Sequence, residues 1–219
     1  MNVREELFAA QDLKYKDFHK KLVPTVDEDK IIGVRLPQLR KIAKRLESND
    51  FEWEYYEEIM LHGFYIGYKK MPYQEHMKML DKFIPHIDNW AVCDCVSSSL
   101  KFIEKNRKDF LDYLQKYMGS EKEYELRFAV VILMDYYITD EYIDSVLEFL
   151  SAIKSSYYYV NMAAAWALSV AFVKYQSKTM PILESKCLTK DIQNMAIGKI
   201  RDSFRVDKEI KEYVKTLRA

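Results

Sequence analysis

The sequence predicts an all-α protein, arranged as a curved, superhelical array of antiparallel helix pairs. Three observations support this prediction. Only 5 glycines and 5 prolines occur among the 219 residues, which leaves few positions for tight hairpin turns. Apolar residues recur at intervals of three and four along most of the chain, and no alternating strand pattern is sustained. The helices recur in pairs at a spacing of roughly 35–40 residues, which is typical of helical repeats that stack into a solenoid.

Five helices are predicted in the first half of the chain. The first covers residues 3–22, and a polar connection over residues 23–33 follows it. Pro37 stands in the first turn of the second helix, 36–46, where its missing N–H leaves no hydrogen bond unmade. Residues 51–69 and 73–83 form the next two helices, and Asp88 is predicted to cap the fifth, over residues 87–100.

The second half of the chain contains seven predicted helices, over residues 110–118, 121–138, 141–153, 157–175, 178–187, 190–204 and 208–217. Gly119 stops the first of them and Thr139 begins the cap of the third. The two halves together give about twelve helices, or about six pairs, in a single domain over residues 1–219. In such an array one helix of each pair lines a concave surface.

Charge and cysteine content limit the partners and the compartment. Lys plus Arg and Asp plus Glu both number 34, so the formal net charge is zero; a local basic stripe that binds nucleic acid is still compatible with this balance. Three cysteines, two of them on one helix, do not form a disulfide framework and indicate a reducing, cytoplasmic compartment. No apolar run reaches the ~18–20 residues of a membrane span, no signal-peptide core opens the chain, and the histidines lack paired metal spacing. We therefore expect a cytoplasmic monomer with no membrane or metal partner.

The residues that most need an explanation lie on the helix over 87–100. Trp90 and Asp94 are four positions apart, so they share one face of an otherwise apolar helix. If that face is core, Asp94 is a costly buried charge unless it is paired. If it lines a groove, the carboxylate can meet a cationic ligand. Arg127 and Trp166 follow in two later helices at intervals of 37 and 39 residues, so all four side chains are candidates to face one groove.

Five segments of the chain resemble one known family in their order and spacing. They are GVRLPQLRKIAKRL at 33–46, NWAVCD at 89–94, LRFAVV at 126–131, NMAAAWAL at 161–168 and MAIGKIRDSF at 195–204. The sequence is similar over nearly its whole length to the AlkD-type DNA alkylation-repair glycosylases, which are built from HEAT-like helical repeats of the armadillo type. The resemblance therefore implies a HEAT-like solenoid that binds duplex DNA carrying purines alkylated at N3 or N7, and that needs no base-flipping pocket, cofactor or metal.

The same resemblance implies roles for individual residues. Asp94 would be the catalytic group, because a carboxylate favours the oxocarbenium-like transition state formed as the glycosidic bond breaks. It further implies contacts to DNA and the lesion from Trp90, Trp166, Arg127 and Phe18, and possible phosphate contacts from Arg35, Arg40 and Lys44.

The sequence departs from the family pattern at three of these places. The family's arginine stands directly before alanine, where this chain has Phe128, and a shift of one residue rotates a helical side chain by about 100°. Either Arg127 or Phe128 therefore faces the groove. Ser169 follows Trp166 where the family has basic residues, and Phe18 stands where the family has tyrosine. Fewer cations near the DNA would weaken phosphate binding.

Purely structural interpretations stay open beside the functional ones. Trp90 is an ordinary packing residue in one of them, and Asp94 is a hydrogen-bond anchor between helices. Trp166 fills space between helices, and Arg127 pairs with Glu123 or Asp94. The alternative function is a non-catalytic helical-repeat module that binds damaged or branched DNA, or a protein partner.

Overall fold

The computed structural model describes residues 2–219, and every regular element in this range is a helix. The prediction of an all-α protein is confirmed. The chain forms two compact units, the first ending at Asn106 and the second running from Arg107 to Ala219. The prediction of one domain over residues 1–219 stays a prediction. Within residues 2–219, no helix combines the length and the apolar character that crossing a bilayer requires.

The first unit contains six α-helices, with 3₁₀ turns at Glu28–Lys30, Ile84–His86 and Lys101–Lys105. The helices are α1 (Val3–Ala9), α2 (Leu13–His19), α3 (Leu36–Arg45), α4 (Tyr56–Tyr68), α5 (Tyr73–Phe83) and α6 (Trp90–Ser97). Helix α4 packs against α3, α5 and α6 and is the centre of this unit. Its hydrophobic residues are almost all buried, whereas α3 buries one apolar stripe and exposes its basic residues.

Two glycines let α4 approach α6 closely. Gly63 and Gly67 are four residues apart and so lie on one face of α4. A Cβ atom at position 63 would lie 2.3 Å from a methyl group of Val96, and one at position 67 would lie 2.4 Å from the hydroxyl of Ser99. Only residues without a side chain fit at these two positions, so the glycines fix how near α6 lies to α4.

The single helix predicted over residues 3–22 is wrong, because the chain breaks between α1 and α2. The Asp12 carboxylate accepts the Tyr15 amide N–H at 2.9 Å and so begins a new helix. The Asp12 amide N–H donates to the Gly33 carbonyl at 2.9 Å. Gly33 has a φ of +101°, and a Cβ atom there would lie 2.7 Å from the Cβ of Lys16. The polar connection after α2 therefore returns to pack directly against it.

Helix α4 begins at Tyr56, five residues later than predicted. The preceding segment is held outside the helix because its aromatic rings pack on the surface of α4. The imidazole of His62 lies between the rings of Phe51 and Trp53, at centroid distances of 3.9 and 3.5 Å. For both rings to stack on His62, residues 51–55 must run across the surface of α4, so they cannot form an earlier part of the same helix.

The second unit contains seven α-helices, so the total of thirteen is close to the dozen expected. They are α7 (Arg107–Met118), α8 (Glu123–Tyr136), α9 (Ile143–Ala152), α10 (Tyr158–Lys174), α11 (Gln176–Ser185), α12 (Lys190–Asp202) and α13 (Lys208–Thr216). Helix α10 packs against both α8 and α12. Its buried alanines at 163, 164, 165, 167 and 171 make this close packing possible, because each presents only a methyl group. Packing between alternate helices is the pattern expected of stacked helix pairs.

Candidate functional site

Helix α6 is positioned by a cap at Asn89, whereas the sequence suggested Asp88. The Asn89 side-chain oxygen accepts the Val92 amide N–H at 2.9 Å, and the residue itself is buried. Asp88 supports the cap indirectly, since its carboxylate accepts a hydrogen bond from the Asn89 amide group at 2.8 Å. The cap therefore fixes the first turn of α6, the turn that carries Trp90.

One face of α6 carries Trp90, Asp94 and Ser98 at intervals of four residues. Trp90 is half-buried, and its indole N–H donates to the carbonyl oxygen of Leu22 at 2.8 Å, just after α2. Asp94 is also half-buried, one turn further on. Ser98 is exposed at the end of the helix, and its amide N–H donates to the Asp94 carbonyl at 3.2 Å. The face is therefore partly open to solvent along its length.

The Ser98 end of this face opens into a depression of about 460 Å³ that carries three cations. Its walls come from the end of α3, the end of α4 and the chain after α6, and consist of Arg40, Lys44, Gly67, Tyr68, Ser98, Ser99 and Lys101. No carboxylate is among these lining residues. An anion with several oxygen atoms, such as a phosphate group, is the ligand that such a surface suits.

Aromatic rings support two of the three cations. The Arg40 guanidinium lies 5.5 Å from the centre of the Phe64 ring, and the Lys44 ammonium lies 5.7 Å from that of Tyr68. Within residues 2–219, neither Arg40 nor Lys44 forms an ion pair. Lys101 lies 3.4 Å from the Glu104 carboxylate on the next turn. The positive charge of Arg40 and Lys44 is therefore held in place without being neutralised.

The thiol of Cys95, the residue after Asp94, is held in its protonated form by its surroundings. Burial raises its pKa to about 11; the nearby charge of Asp94 raises it further, and that of Arg40 acts in the opposite direction. Since the thiol stays protonated near neutral pH, Cys95 is not a nucleophile there.

Arg35 lies in different surroundings from Arg40 and Lys44, although the sequence grouped the three together. Its guanidinium forms a salt bridge of 2.9 Å with Asp12 and stacks on the Tyr15 ring at 4.9 Å. It also lines a separate depression of about 420 Å³, which contains Glu6 and Asp12. Carboxylates therefore neutralise the charge that Arg35 presents to solvent. Phe18, the aromatic candidate on α2, is 58% exposed.

The second unit exposes Trp166 on α10. The indole is 37% exposed and lines a depression of about 210 Å³, with one apolar wall and two cations, Lys174 and Arg205. Ser169, Val170, Val173 and Ser203 complete the lining. Trp166 is thus partly exposed, beside this depression.

Arg127 and Phe128 are both buried, at 3% and 0% exposure. The Arg127 guanidinium donates to the Tyr159 carbonyl and lies 6.0 Å from the centre of the Tyr159 ring. Glu123, one turn earlier on α8, accepts the Tyr159 amide N–H at 3.2 Å. These contacts join α8 to the first turn of α10. Which of the two neighbouring side chains approaches DNA stays a prediction.

Metal-ligating side chains do not gather anywhere in the described part of the chain. Among residues 2–219, no group of three or more His, Cys, Asp and Glu side chains could hold a metal ion.

Comparison with known families decides the assignment. The family model described as DNA alkylation repair enzyme matches residues 3–205. The chain belongs to the DNA alkylation repair enzyme family. A search of curated proteins returned no match.

Membership in the DNA alkylation repair enzyme family gives the exposed residues a context. The match includes α1 to α12 and all the residues that line the three depressions, at Arg40, Arg35 and Trp166. A role in DNA repair follows, and with it a partner related to DNA. The resemblance found in the sequence is confirmed at the level of the family.

Sequence reasoning missed Lys101 in the first unit and both Lys174 and Arg205 in the second. Lys101 follows the end of α6, and nothing local in the sequence brings it beside Arg40 of α3. Arg205 reaches the Trp166 depression from the connection between α12 and α13. The available signal was weak. Lys101 and Arg205 are single basic residues just beyond predicted helices, and Lys174 stands in the last turn of one; both are common positions for solvated lysine and arginine.

Proposed function

We propose that this family member is a DNA glycosylase that hydrolyses the N-glycosidic bond of cationic N3- or N7-alkylated purines in duplex DNA. One observation carries the proposal. The partly open face of α6 bears Trp90 and Asp94 and leads directly into a depression with three cations. A carboxylate for the developing positive charge thus lies next to a surface suited to phosphate groups.

The proposed reaction needs only water and the protein's own side chains. Alkylation at N3 or N7 leaves the purine positively charged, so the base departs readily. The C1′–N bond breaks, its electron pair stays on the purine nitrogen, and the departing base becomes neutral. Positive charge then develops on the sugar, shared between C1′ and the ring oxygen. Water adds to C1′ and loses a proton, leaving an abasic site.

Asp94 is proposed to act through its charge, by stabilising the oxocarbenium-like sugar. Its half-buried position supports this role, because electrostatic interactions are stronger where water is partly excluded. The Trp90 ring can favour the same cationic character, at about 0.5–2 kcal/mol. Arg40, Lys44 and Lys101 are proposed to bind phosphates and so to hold the DNA in register.

The test is the release of 7-methylguanine and 3-methyladenine from methylated duplex DNA by the wild type and by Asp94→Asn. Removing one preorganised electrostatic group typically costs about 10²–10³-fold in rate, and we expect a loss of this size. Asp50→Asn is the matched control, because it removes a carboxylate from an exposed loop of the same unit. Equal release by wild type and Asp94→Asn would reject Asp94 as the catalytic group.

A second candidate function is a non-catalytic module that binds damaged or branched DNA, or a protein partner. The burial of Arg127 favours it, because the arginine expected to contact the lesion is 3% exposed and bonds to the Tyr159 carbonyl. If the wild type releases neither base but binds methylated or branched duplexes tightly, this second function would be favoured over the glycosylase.

A further inference from the structure

Phe204 is the most exposed large apolar side chain of the protein's described residues. Its exposed fraction is 102%, whereas the next highest among large apolar residues is 64%. The residue lies in the short connection between α12 and α13. Single exposed apolar residues are common on protein surfaces, so exposure alone does not indicate a function. The surroundings of Phe204 provide the further reasons.

The connection that carries Phe204 is an ordered turn. The Ser203 amide N–H donates to the Ile200 carbonyl at 3.2 Å, and the Arg205 amide N–H donates to the Ser203 hydroxyl at 3.2 Å. Ile200 and Val206 are buried on either side of the turn, at 0% and 8% exposure. The turn is thus anchored at both ends, and this geometry directs the Phe204 ring into solvent.

The two neighbours of Phe204 in sequence line the depression that contains Trp166. Ser203 and Arg205 form one side of this depression of about 210 Å³, and α10 forms the other side with Trp166 and Lys174. Phe204 lies between these two lining residues in the same turn. Within residues 2–219, neither Lys174 nor Arg205 forms an ion pair, and no carboxylate is among the lining residues. The exposed ring of Phe204 is thus carried by the same turn that forms one side of a depression with an indole and two cations.

This combination matches the chemistry of a nucleotide better than that of an apolar peptide. Sites for unpaired nucleotides combine aromatic side chains, on which bases stack, with cations that contact the phosphates. A docking site for an apolar helix would instead need a wide hydrophobic groove. Here the apolar wall consists of little more than Val170, Val173 and Trp166, and cations lie beside it.

We propose that Phe204 stacks on a nucleobase of distorted duplex DNA, while Lys174 and Arg205 contact the adjoining phosphates. The inference rests on the proposed DNA substrate but not on Asp94 or on any chemical step. Bases in an intact duplex are stacked on their neighbours, so a free base face is available only beside a gap, a lesion or an abasic site. The surface is therefore specific for damaged duplex and binds intact duplex less tightly.

The experiment measures binding by the full chain to a duplex with one stable abasic analogue and 2-aminopurine as the adjacent base. Fluorescence anisotropy gives the affinity, and 2-aminopurine emission reports the stacking of that base. Stacking of one base on an aromatic side chain is worth about 5- to 150-fold in affinity, so Phe204→Ala should weaken binding by a factor in this range. Phe204→Trp should restore both signals. Leu13→Ala is the control, since it removes an exposed apolar side chain from the first unit.

Unchanged affinity of Phe204→Ala for the abasic duplex would overturn the proposal. Equal weakening on the abasic and the intact duplex would also overturn it, because stacking requires a free base face. The measurement involves no base release, so a failure of the glycosylase proposal with Asp94 leaves it interpretable. A wild type that releases alkylated bases but shows no effect of Phe204→Ala would reject the stacking surface alone.

Discussion

The salt dependence of DNA binding should separate Arg40 and Lys44 from Arg35. All three are exposed basic residues of one sequence segment, yet only Arg40 and Lys44 line the basic depression, whereas Arg35 is paired with Asp12. Each phosphate that a cation neutralises contributes about −0.9 to the slope of log K against log salt concentration on B-form DNA. The structure therefore predicts unequal contributions from residues that look alike in the sequence.

Replacing Arg40 or Lys44 with Gln should make the slope shallower by about 0.9 each, and replacing both should change it by about 1.8. When salt is raised from 50 to 200 mM, the affinity of a variant that lacks one contact should therefore fall by a factor about 3.5 times smaller than the affinity of the wild type does. Loss of the ring contact with Phe64 or Tyr68 should lower the free energy of unfolding by only about 0.5–1 kcal/mol each, because both cations are exposed. The variants should therefore remain folded.

The assay is equilibrium binding to an unmodified duplex at four or five salt concentrations, for the wild type, Arg40→Gln, Lys44→Gln, the double variant and Arg35→Gln. Arg35→Gln should leave the slope nearly unchanged, because Asp12 already neutralises this charge. If Arg35→Gln flattened the slope as much as Arg40→Gln does, the assignment of phosphate contacts to the depression would be refuted. Circular dichroism of each variant confirms that the comparison is between folded proteins.

Two further predictions concern stability. Asn89→Ala should lower the free energy of unfolding by about 1–2 kcal/mol, because the buried cap of α6 is lost. Asn89→Ser should keep most of the stability, since serine can also cap a helix. Equal urea midpoints for Asn89→Ala and the wild type would contradict the role of the cap. Burial lowers the pKa of His62 to about 4, below the 6.5 of the unfolded chain, so the unfolded state binds more protons between these values. Stability should therefore be complete above pH 6.5 and should fall as pH drops from 6.5 towards 4, by about 3 kcal/mol in all. Urea unfolding at pH 7.5 and 4.5 measures this loss of stability. His62→Phe keeps a ring between Phe51 and Trp53 and should remove the pH-dependent loss. The same loss in His62→Phe as in the wild type would show that other titratable groups cause the pH dependence.

Most of the fold could be predicted because its signals are local. Helix α5 was predicted with its observed bounds, Tyr73–Phe83, since prolines stand immediately before it and two residues after it. The break between α1 and α2 was not, because it depends on a contact between Asp12 and Gly33, far apart in the sequence. A capping aspartate looks the same in the sequence whether or not its amide N–H donates to a distant backbone carbonyl.

The candidate site could be predicted only in part, for a similar reason. The interval of four between Trp90 and Asp94 places both on one helical face whatever the rest of the chain does. The difference between Arg35 and Arg40 depends instead on partners elsewhere: the capping carboxylate before α2 in the first case and a ring of α4 in the second. Lys101 joins Arg40 only because Gly63 and Gly67 bring α6 and the following turn close to α4.

The hydrogen bond from the Trp90 indole to the Leu22 carbonyl has a consequence for evolution and engineering. Because the acceptor is a main-chain atom, any residue type at position 22 can provide it, and the side chain there can vary while the indole keeps its orientation. An aromatic ring that is oriented before a ligand arrives does not lose the roughly 0.5–1.5 kcal/mol of rotamer freedom that ordering a side chain on binding costs. The tether thus lets the surface after α2 diversify without loosening the wall beside Asp94.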